Sequence, residues 1–121
     1  MQTTYPLFVF ERDDDSMFLV ESGDHFLHRM EEMDIENGEY LFWDANGVQI
    51  SVQCKNEKCS VFPLVSPEMN IAAAFERYLE SMNLSASLRE GSPIETWTRI
   101  QNELAKRPRR AGIRGLWRRL R

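Results

Sequence analysis

The chain has 121 residues, of which 42% are hydrophobic and 11% aromatic, and its formal net charge is −4 at pH 7. This composition excludes an intrinsically disordered chain, and the length is that of one globular domain with its own core. The longest apolar runs are about five residues, whereas a membrane-spanning helix needs about 20. No basic residue precedes the first apolar stretch, so we expect neither a transmembrane span nor a secretory signal. Two cysteines are too few for a disulfide framework, and we expect a cytoplasmic protein with reduced thiols.

The charges are unevenly distributed along the chain. Residues 1–105 hold all nineteen Asp and Glu and seven of the fifteen Lys and Arg, and residues 106–121 hold the other eight basic residues. These counts give the two regions charges of −12 and +8. We therefore predict an acidic globular domain over 1–105 and a basic C-terminal tail over 106–121. The segregation indicates that the tail contacts a negative surface, on this chain or on a partner.

The first third of the chain predicts two strands and a helix. Residues 5–11 and 17–21 are aromatic and β-branched runs separated by a polar turn, which is the pattern of strand, turn and strand. Ser22 stands at an N-cap position, and the helix after it is expected to end near residues 37–38. The apolar residues at helical spacing within it are Phe26, Leu27, Met30 and Met33.

The middle of the chain predicts three more strands. Residues 39–44 and 48–53 flank Ala45-Asn46-Gly47, and Asn-Gly between apolar runs is a strong hairpin signal. The second of these strands alternates apolar residues with polar ones, so we expect one of its faces to contact solvent; the polar residues are Gln49, Ser51 and Gln53. A further strand over 60–65 contains Pro63, which favours the edge of a sheet.

Two helices are predicted near the end of the domain. Ser66-Pro67-Glu68 has the order of an N-cap, a proline and an acid that starts a helix, and a buried stripe follows at Ile71, Phe75, Tyr78, Leu79 and Met82. After a loop over 83–91, Ser92-Pro93-Ile94-Glu95 forms a capping box for a last helix, whose buried face holds Trp97, Ile100 and Leu104. The order is ββαβββαα. We predict an α+β fold, with an antiparallel sheet of about five strands and two to three helices packed on one side.

No segment of the sequence specifies a reaction. There is no G-x-S-x-G elbow and no glycine-rich phosphate loop. A zinc site from His25, His28, Cys54 and Cys59, or a cation site at residues 13–15 or 44–47, has the appropriate ligand types. Ordinary hairpin and turn residues explain these segments better. We predict a non-enzymatic protein without a metal or cofactor.

The tail has the pattern of an amphipathic segment. Its apolar residues fall at i, i+3, i+4 and i+7, and are Ile113, Leu116, Trp117 and Leu120. The basic residues around them are Arg109, Arg110, Arg114, Arg118, Arg119 and Arg121. Gly112 and Gly115 disfavour an isolated helix, so we expect the tail to fold only on docking. Its candidate partners are an acidic protein groove, an anionic membrane, nucleic acid, or the acidic domain of its own chain.

The charge pattern favours binding of another macromolecule. Our main hypothesis is an acidic domain that binds a basic protein partner, as an inhibitor, an immunity-type protein or an accessory module, because complementary charge speeds encounter. The candidate binding residues are Asp13, Asp14, Asp15, Glu31, Glu32, Asp34 and Glu36. The alternative is a peripheral adaptor that uses its basic tail on an anionic membrane or an acidic partner. Nucleic-acid binding through the arginines of the tail is the weaker alternative, because the acidic domain repels phosphates.

Overall fold

The fold is built on one five-stranded antiparallel sheet. The computed structural model describes residues 3–26 and 30–107. The strands lie in the order β2-β1-β3-β4-β5, and every adjacent pair is antiparallel. They are β1 (Leu7–Glu11), β2 (Ser16–Val20), β3 (Tyr40–Trp43), β4 (Gln49–Lys55) and β5 (Lys58–Pro63). The predicted antiparallel sheet is confirmed.

Three α-helices and two short 3-10 turns complete the order of elements. The helices are α1 (Glu32–Glu36), α2 (Ile71–Ser81) and α3 (Pro93–Ala105), and the 3-10 turns are Gly23–His25 and Ala86–Leu88. The order ββαβββαα and the α+β class are confirmed. Within the residues that the structure describes, no helix is long and apolar enough to cross a membrane.

Both faces of the sheet are covered. Helices α2 and α3 pack on one face, in a cluster with Phe8, Phe10 and Trp43. The opposite face carries Leu7 and Val9, which pack with a second cluster that includes Phe26, Met30, Ile35 and Phe42. The packing on one side therefore holds for α2 and α3, while the segment around α1 covers the other face. The reason lies in β1, where all four residues from 7 to 10 are fully buried, so each face of this strand needs a cover.

The predicted first helix is interrupted. A 3-10 turn at Gly23–His25 comes first, α1 begins only at Glu32, and residues 27–29 lie outside the described part of the chain. Ile35 is the buried residue of α1. Met33 precedes it by two positions, which places the two side chains on nearly opposite sides of the helix. Met33 is 68% exposed, so its predicted place in the buried stripe is wrong.

Gln49 departs from the predicted alternation of β4. It lies on the face expected to contact solvent, yet it is only 4% exposed. Its Oε1 atom accepts hydrogen bonds from the backbone amides of Glu68 (2.8 Å) and Met69 (3.1 Å). Gln53 lies further along the same face of β4, and it is exposed as predicted. The segment before α2 therefore covers this face of β4 at Gln49 and leaves it exposed to solvent at Gln53.

Helix α2 begins four residues later than predicted. The sequence places its N-cap at Ser66, whereas the N-cap is Asn70 and the first helical residue is Ile71. The Oδ1 atom of Asn70 accepts a hydrogen bond of 2.7 Å from the amide of Ala72, which satisfies a free N–H of the first turn. The amides just before it bond to Gln49 and so stay outside the helix.

Two local predictions are confirmed without change. Pro63 is the last residue of β5, and β5 is an edge strand. Ser92 and Glu95 form the reciprocal capping box of α3, with Pro93 at the first helical position. Backbone and side-chain hydrogen bonds with Ser92 lower the pKa of Glu95. These signals depend on neighbouring residues only, which is why they could be read from the sequence.

Candidate functional site

The two cysteines are joined to each other. Cys54 and Cys59 face one another across the β4–β5 hairpin and form a disulfide, so neither thiol is free to bind zinc or to act as a nucleophile. The ring Nδ1 atom of His25 lies 2.8 Å from Oγ of Ser22, and His28 is outside the described residues. Among residues 3–26 and 30–107, no group of three or more His, Cys, Asp and Glu is arranged to hold a metal ion. The disulfide contradicts the expectation of reduced thiols, and a cytoplasmic location stays a prediction.

The side chain of Asp44 holds the turn between β3 and β4 through hydrogen bonds to backbone amides. Asp44 is 7% exposed, and its Oδ1 atom accepts hydrogen bonds of 2.9 Å from the amides of both Asn46 and Val48. Gly47 has a φ of +84°, a conformation that favours glycine. The carboxylate is used to shape the hairpin, which agrees with the interpretation of these residues as turn residues.

Five acidic side chains converge where the β1–β2 turn, α1 and the start of β3 meet. Two backbone hydrogen bonds bring these segments together: the amide of Arg12 donates to the carbonyl of Glu39 (3.0 Å), and the amide of Glu39 donates to the carbonyl of Asp34 (3.2 Å). We call this cluster the acidic patch, and its members are Glu11, Asp13, Asp14, Asp34 and Glu39.

The members of the acidic patch repel one another. Burial raises the pKa of the Glu11 carboxyl, and the charges of Asp14, Asp13 and Asp34 raise it further. The pKa of Glu39 is raised by desolvation, by the charge of Asp34, by a hydrogen bond between its side chain and Asp34, and by the charges of Asp13 and Glu11. A like charge within a few ångströms disfavours the ionised form of a carboxyl. The patch therefore holds its negative charge at a cost in free energy.

Tyr40 lies among these carboxylates. Its ring makes an edge contact with Phe18 and a tilted contact with Phe42, each at a centroid distance of 6.2 Å. Burial raises the pKa of its hydroxyl to about 12, with further contributions from Glu11, Asp34, Glu39 and Glu31. The hydroxyl is therefore neutral at physiological pH. The patch thus combines carboxylates with one half-buried aromatic ring.

No cation of the described residues neutralises the acidic patch. Arg12 comes from the β1–β2 turn, but its guanidinium donates instead to the Glu68 carboxylate at 2.7 Å. None of the four Lys or Arg ion pairs in the described part of the chain includes a member of the patch. The other three are Arg89 with Glu76, Arg99 with Glu95, and Lys106 with Glu103.

The structure brings together only part of the predicted acidic set. Asp13, Asp14 and Asp34 belong to the patch, and Glu31 acts on Tyr40. Glu32 and Glu36 lie on α1 at the margin. Asp15 differs because it has a φ of +56° and its carbonyl accepts a hydrogen bond from the Ser81 hydroxyl, towards α2.

Sequence reasoning missed Glu11 and Glu39. They join the patch because Glu11 ends β1 and pairs with Tyr40 in the β1–β3 register, with Glu39 next to it. That pairing links residues about thirty positions apart, and no short-range signal in the sequence reports it. An acid directly after a buried run, as at Glu11, is the only local hint.

The aromatic positions divide between core and surface. Trp43 is fully buried and Phe42 is 4% exposed, so both are core residues. Trp97 on α3 is half-buried. The predicted binding residues of the tail lie outside the described residues; they are Arg109, Arg110, Ile113, Arg114, Leu116, Trp117, Arg118, Arg119, Leu120 and Arg121.

The acidic patch can bind cationic groups. Clustered carboxylates accept charge-assisted hydrogen bonds from arginine and lysine side chains. No protein-family model, no curated protein and no solved structure matches this chain. The charges and contacts of the described residues are therefore the basis for a proposed function.

Proposed function

We propose that this protein binds a basic surface of another protein through the acidic patch, as an inhibitor, an immunity-type protein or an accessory module. The observation that carries the proposal is a mutual repulsion that no described cation relieves. Burial and neighbouring acids raise the pKa of both Glu11 and Glu39. Arg12, the nearest cation along the chain, bonds to Glu68 instead.

Repulsion of this kind lowers the stability of the isolated domain. A raised carboxyl pKa means that folding disfavours the ionised form, so the folded domain is less stable at neutral pH than it would be with neutral side chains. The Ser16 hydroxyl donates a hydrogen bond of 3.1 Å to the Glu11 carboxylate and offsets part of this effect, but no described cation does. Local features that oppose stability are typical of functional sites. Lysine or arginine side chains of a partner would place positive charge beside these carboxylates. Binding would therefore offset part of the repulsion between them.

Met33 adds an apolar contact point beside the patch. Its side chain is 68% exposed, and its neighbours in α1 are Glu32 and Asp34. Protein interfaces combine apolar anchors at the centre with a polar rim, and methionine is enriched in them. We infer that Met33 packs on apolar surface of the partner while the carboxylates around it contact its basic groups.

Affinity capture with three full-length baits tests the proposal. The first is the wild-type protein, and the second carries Asp13→Lys and Asp34→Lys in the patch. The third carries Glu57→Lys and Glu80→Lys, which make the same change in net charge at exposed positions outside it. Circular dichroism first establishes that all three baits are folded. We expect basic proteins that bind the wild type and the third bait and are lost from the second.

Equal capture by all three baits would contradict binding through the patch. Loss from both variants would show that only net charge matters, and would also contradict it. Asp15 is left unchanged in this design because it is not a member of the acidic patch and its carbonyl contacts Ser81, towards α2.

The alternatives based on the tail stay predictions. An adaptor on an anionic membrane and a nucleic-acid binder both use residues 108–121, which are outside the described part of the chain. Binding of the full chain to anionic vesicles, and its loss in the Leu116→Ala, Trp117→Ala double variant, is the outcome expected of the adaptor. A steep fall of affinity for DNA with salt is the outcome expected of the nucleic-acid binder.

A further inference from the structure

A groove runs along the outer strand β2, on the face of the sheet that carries α2 and α3. Its volume is about 520 Å³, and its walls include Met17, Leu19, Glu21, Tyr78, Trp97 and Gln101. β2 is the edge strand at this side of the sheet among the described residues. The volume of the groove lies in the range of small-molecule and peptide clefts, and its walls carry both apolar and polar groups.

The floor of the groove suits a large apolar side chain. Tyr78 and Trp97 stack with a centroid distance of 6.0 Å and an interplanar angle of 16°. Leu19 is half-buried beside them in the same apolar cluster. Tyr78 is only 6% exposed, whereas Trp97, like Leu19, is half-buried. A leucine or tryptophan side chain that docks here would cover the exposed apolar surface of Trp97 and Leu19.

Gln101 lines this groove and holds an unpaired hydrogen-bond donor beneath its surface. Its Nε2 atom is buried and has no acceptor among the described residues. A buried polar atom without a partner costs free energy, and nearly all such atoms in native proteins are satisfied. Rotation of the Gln101 side chain would bring this donor to a backbone carbonyl of a docked peptide segment.

The chain leaves the described domain close to this groove. α3 supplies Gln101 to the wall, and Arg107 follows six residues later, about 9 Å along the helix axis. The guanidinium of Arg107 donates to the carbonyls of Met82 and Asn83, which fixes the exit at the C-terminal end of α2. Fourteen residues remain after Arg107, and even as a helix they would span about 21 Å. The tail is therefore long enough to cover the groove.

Acidic residues lie between the C-terminal end of α2 and the groove, and their charge is opposite to that of the basic tail. The Ser81 hydroxyl, beside the exit, lies 3.4 Å from the carbonyl of Asp15, so the tail starts next to this acidic residue, which is not a member of the acidic patch. Glu21 lines the groove near the other end of β2. Arginines at 109 and 110 would leave the domain beside negative charge, and the apolar residues that follow would reach the aromatic floor.

We propose that residues 108–121 dock in the β2 groove of their own chain, with Leu116 and Trp117 on the Tyr78–Trp97 stack. This site is distinct from the acidic patch. None of the five carboxylates of the patch lines the groove. The two sites adjoin at Phe18, which lines the groove and whose ring centroid lies 6.2 Å from that of Tyr40. Docking of the tail therefore leaves the patch open to a partner.

Paramagnetic relaxation in the full-length protein tests this docking. A nitroxide is attached to the single free thiol of Arg119→Cys, because the native cysteines are joined in their disulfide. We expect loss of amide peak intensity at residues 17–21 and 97–101. Loss at residues 11–14 and 34–39 instead would place the tail on the acidic patch and overturn the proposal. Absence of any localised loss would overturn it too.

Two controls separate the alternatives. The Leu116→Ala, Trp117→Ala variant with the same label should recover peak intensity in the groove, and unchanged broadening would contradict the assigned contacts. In a mixture of labelled chains without nitrogen-15 and unlabelled chains with nitrogen-15, we expect no broadening. Broadening in that mixture would mean that the tail docks into a second copy, which overturns docking within one chain.

Discussion

The backbone amide of Glu68 donates a hydrogen bond of 2.8 Å to the side chain of Gln49, and this contact ties β4 to the segment that precedes α2. The carboxylate of the same Glu68 accepts a hydrogen bond from Arg12 at 2.7 Å. Trp43 completes the arrangement, because its indole N–H donates to the carbonyl of Met69 at 3.1 Å. A polar network therefore joins β3, β4 and the β1–β2 turn to this segment and keeps it out of the helix.

Replacement of Gln49 by leucine should destabilise the domain. The variant leaves the amides of Glu68 and Met69 without their acceptor, and we expect a loss of about 2 kcal/mol in the free energy of unfolding. Gln53→Leu is the matched control on the same face of β4, and it should change that free energy by less than about 0.5 kcal/mol. Urea unfolding measures both. Equal effects of the two substitutions would contradict the role assigned to Gln49.

The acidic patch should make stability depend on pH through Glu39. Burial and the charges of Asp34, Asp13 and Glu11 raise the pKa of Glu39 from 4.5. The stability that the protonated Glu39 carboxyl contributes is therefore fully present below pH 4.5. It is lost as the pH rises through the raised pKa of the folded state. Glu39→Gln removes that loss, so the variant should be more stable than the wild type at pH 7.

The advantage of Glu39→Gln should vanish below about pH 4, where the carboxyl of the wild type is protonated in both states. Urea unfolding at neutral and acidic pH measures the difference between the two proteins. Glu57→Gln is the control for the removal of one negative charge at an exposed turn position outside the patch. A Glu39→Gln variant that is less stable than the wild type at pH 7 would show that no net repulsion acts on this side chain.

Two substitutions in α1 test which face of this helix is buried. Ile35 is 6% exposed and Met33 is 68% exposed. Ile35→Ala should reduce the free energy of unfolding by about 2–4 kcal/mol because it leaves a cavity in the core. Met33→Ala should change it by less than about 0.5 kcal/mol. The reverse order would mean that α1 is rotated relative to the sheet.

The disulfide between Cys54 and Cys59 should be present and should contribute modestly to stability. Its cysteines are five positions apart, and closure of so short a loop stabilises a protein by about 2 kcal/mol. Thiol titration of the denatured protein should find no free thiol without reductant and two after reduction. Urea unfolding with and without reductant measures the contribution. Two free thiols in the unreduced protein would contradict the assigned bond.

Most of the fold could be predicted from local patterns. Alternation and turn residues indicated five strands, and the proline and capping box indicated the start of α3. The errors arose where distant residues decide the outcome. Gln49 is polar and sits in an alternating strand, so only its bonds to residues nineteen and twenty positions away explain its burial. Those bonds also explain the late start of α2.

The candidate site could be predicted only in part. The run of three aspartates indicated an acidic turn, but its union with Asp34 and Glu39 depends on the β1–β3 register. The cysteines show a different limit. Their spacing already suggested neighbours across a hairpin, and the expectation of reduced thiols came from the expected compartment, which geometry does not determine.

The most direct test of the proposed function is the rate of association with a basic partner retained in the capture experiment. Stopped-flow measurements at low and raised salt would compare the wild type, the Asp13→Lys, Asp34→Lys variant and the Glu57→Lys, Glu80→Lys control. We expect the patch variant to associate about tenfold more slowly at low salt and with a weaker dependence on salt, while the control stays close to the wild type. A patch variant that associates as fast as the wild type at low salt would contradict binding through the acidic patch.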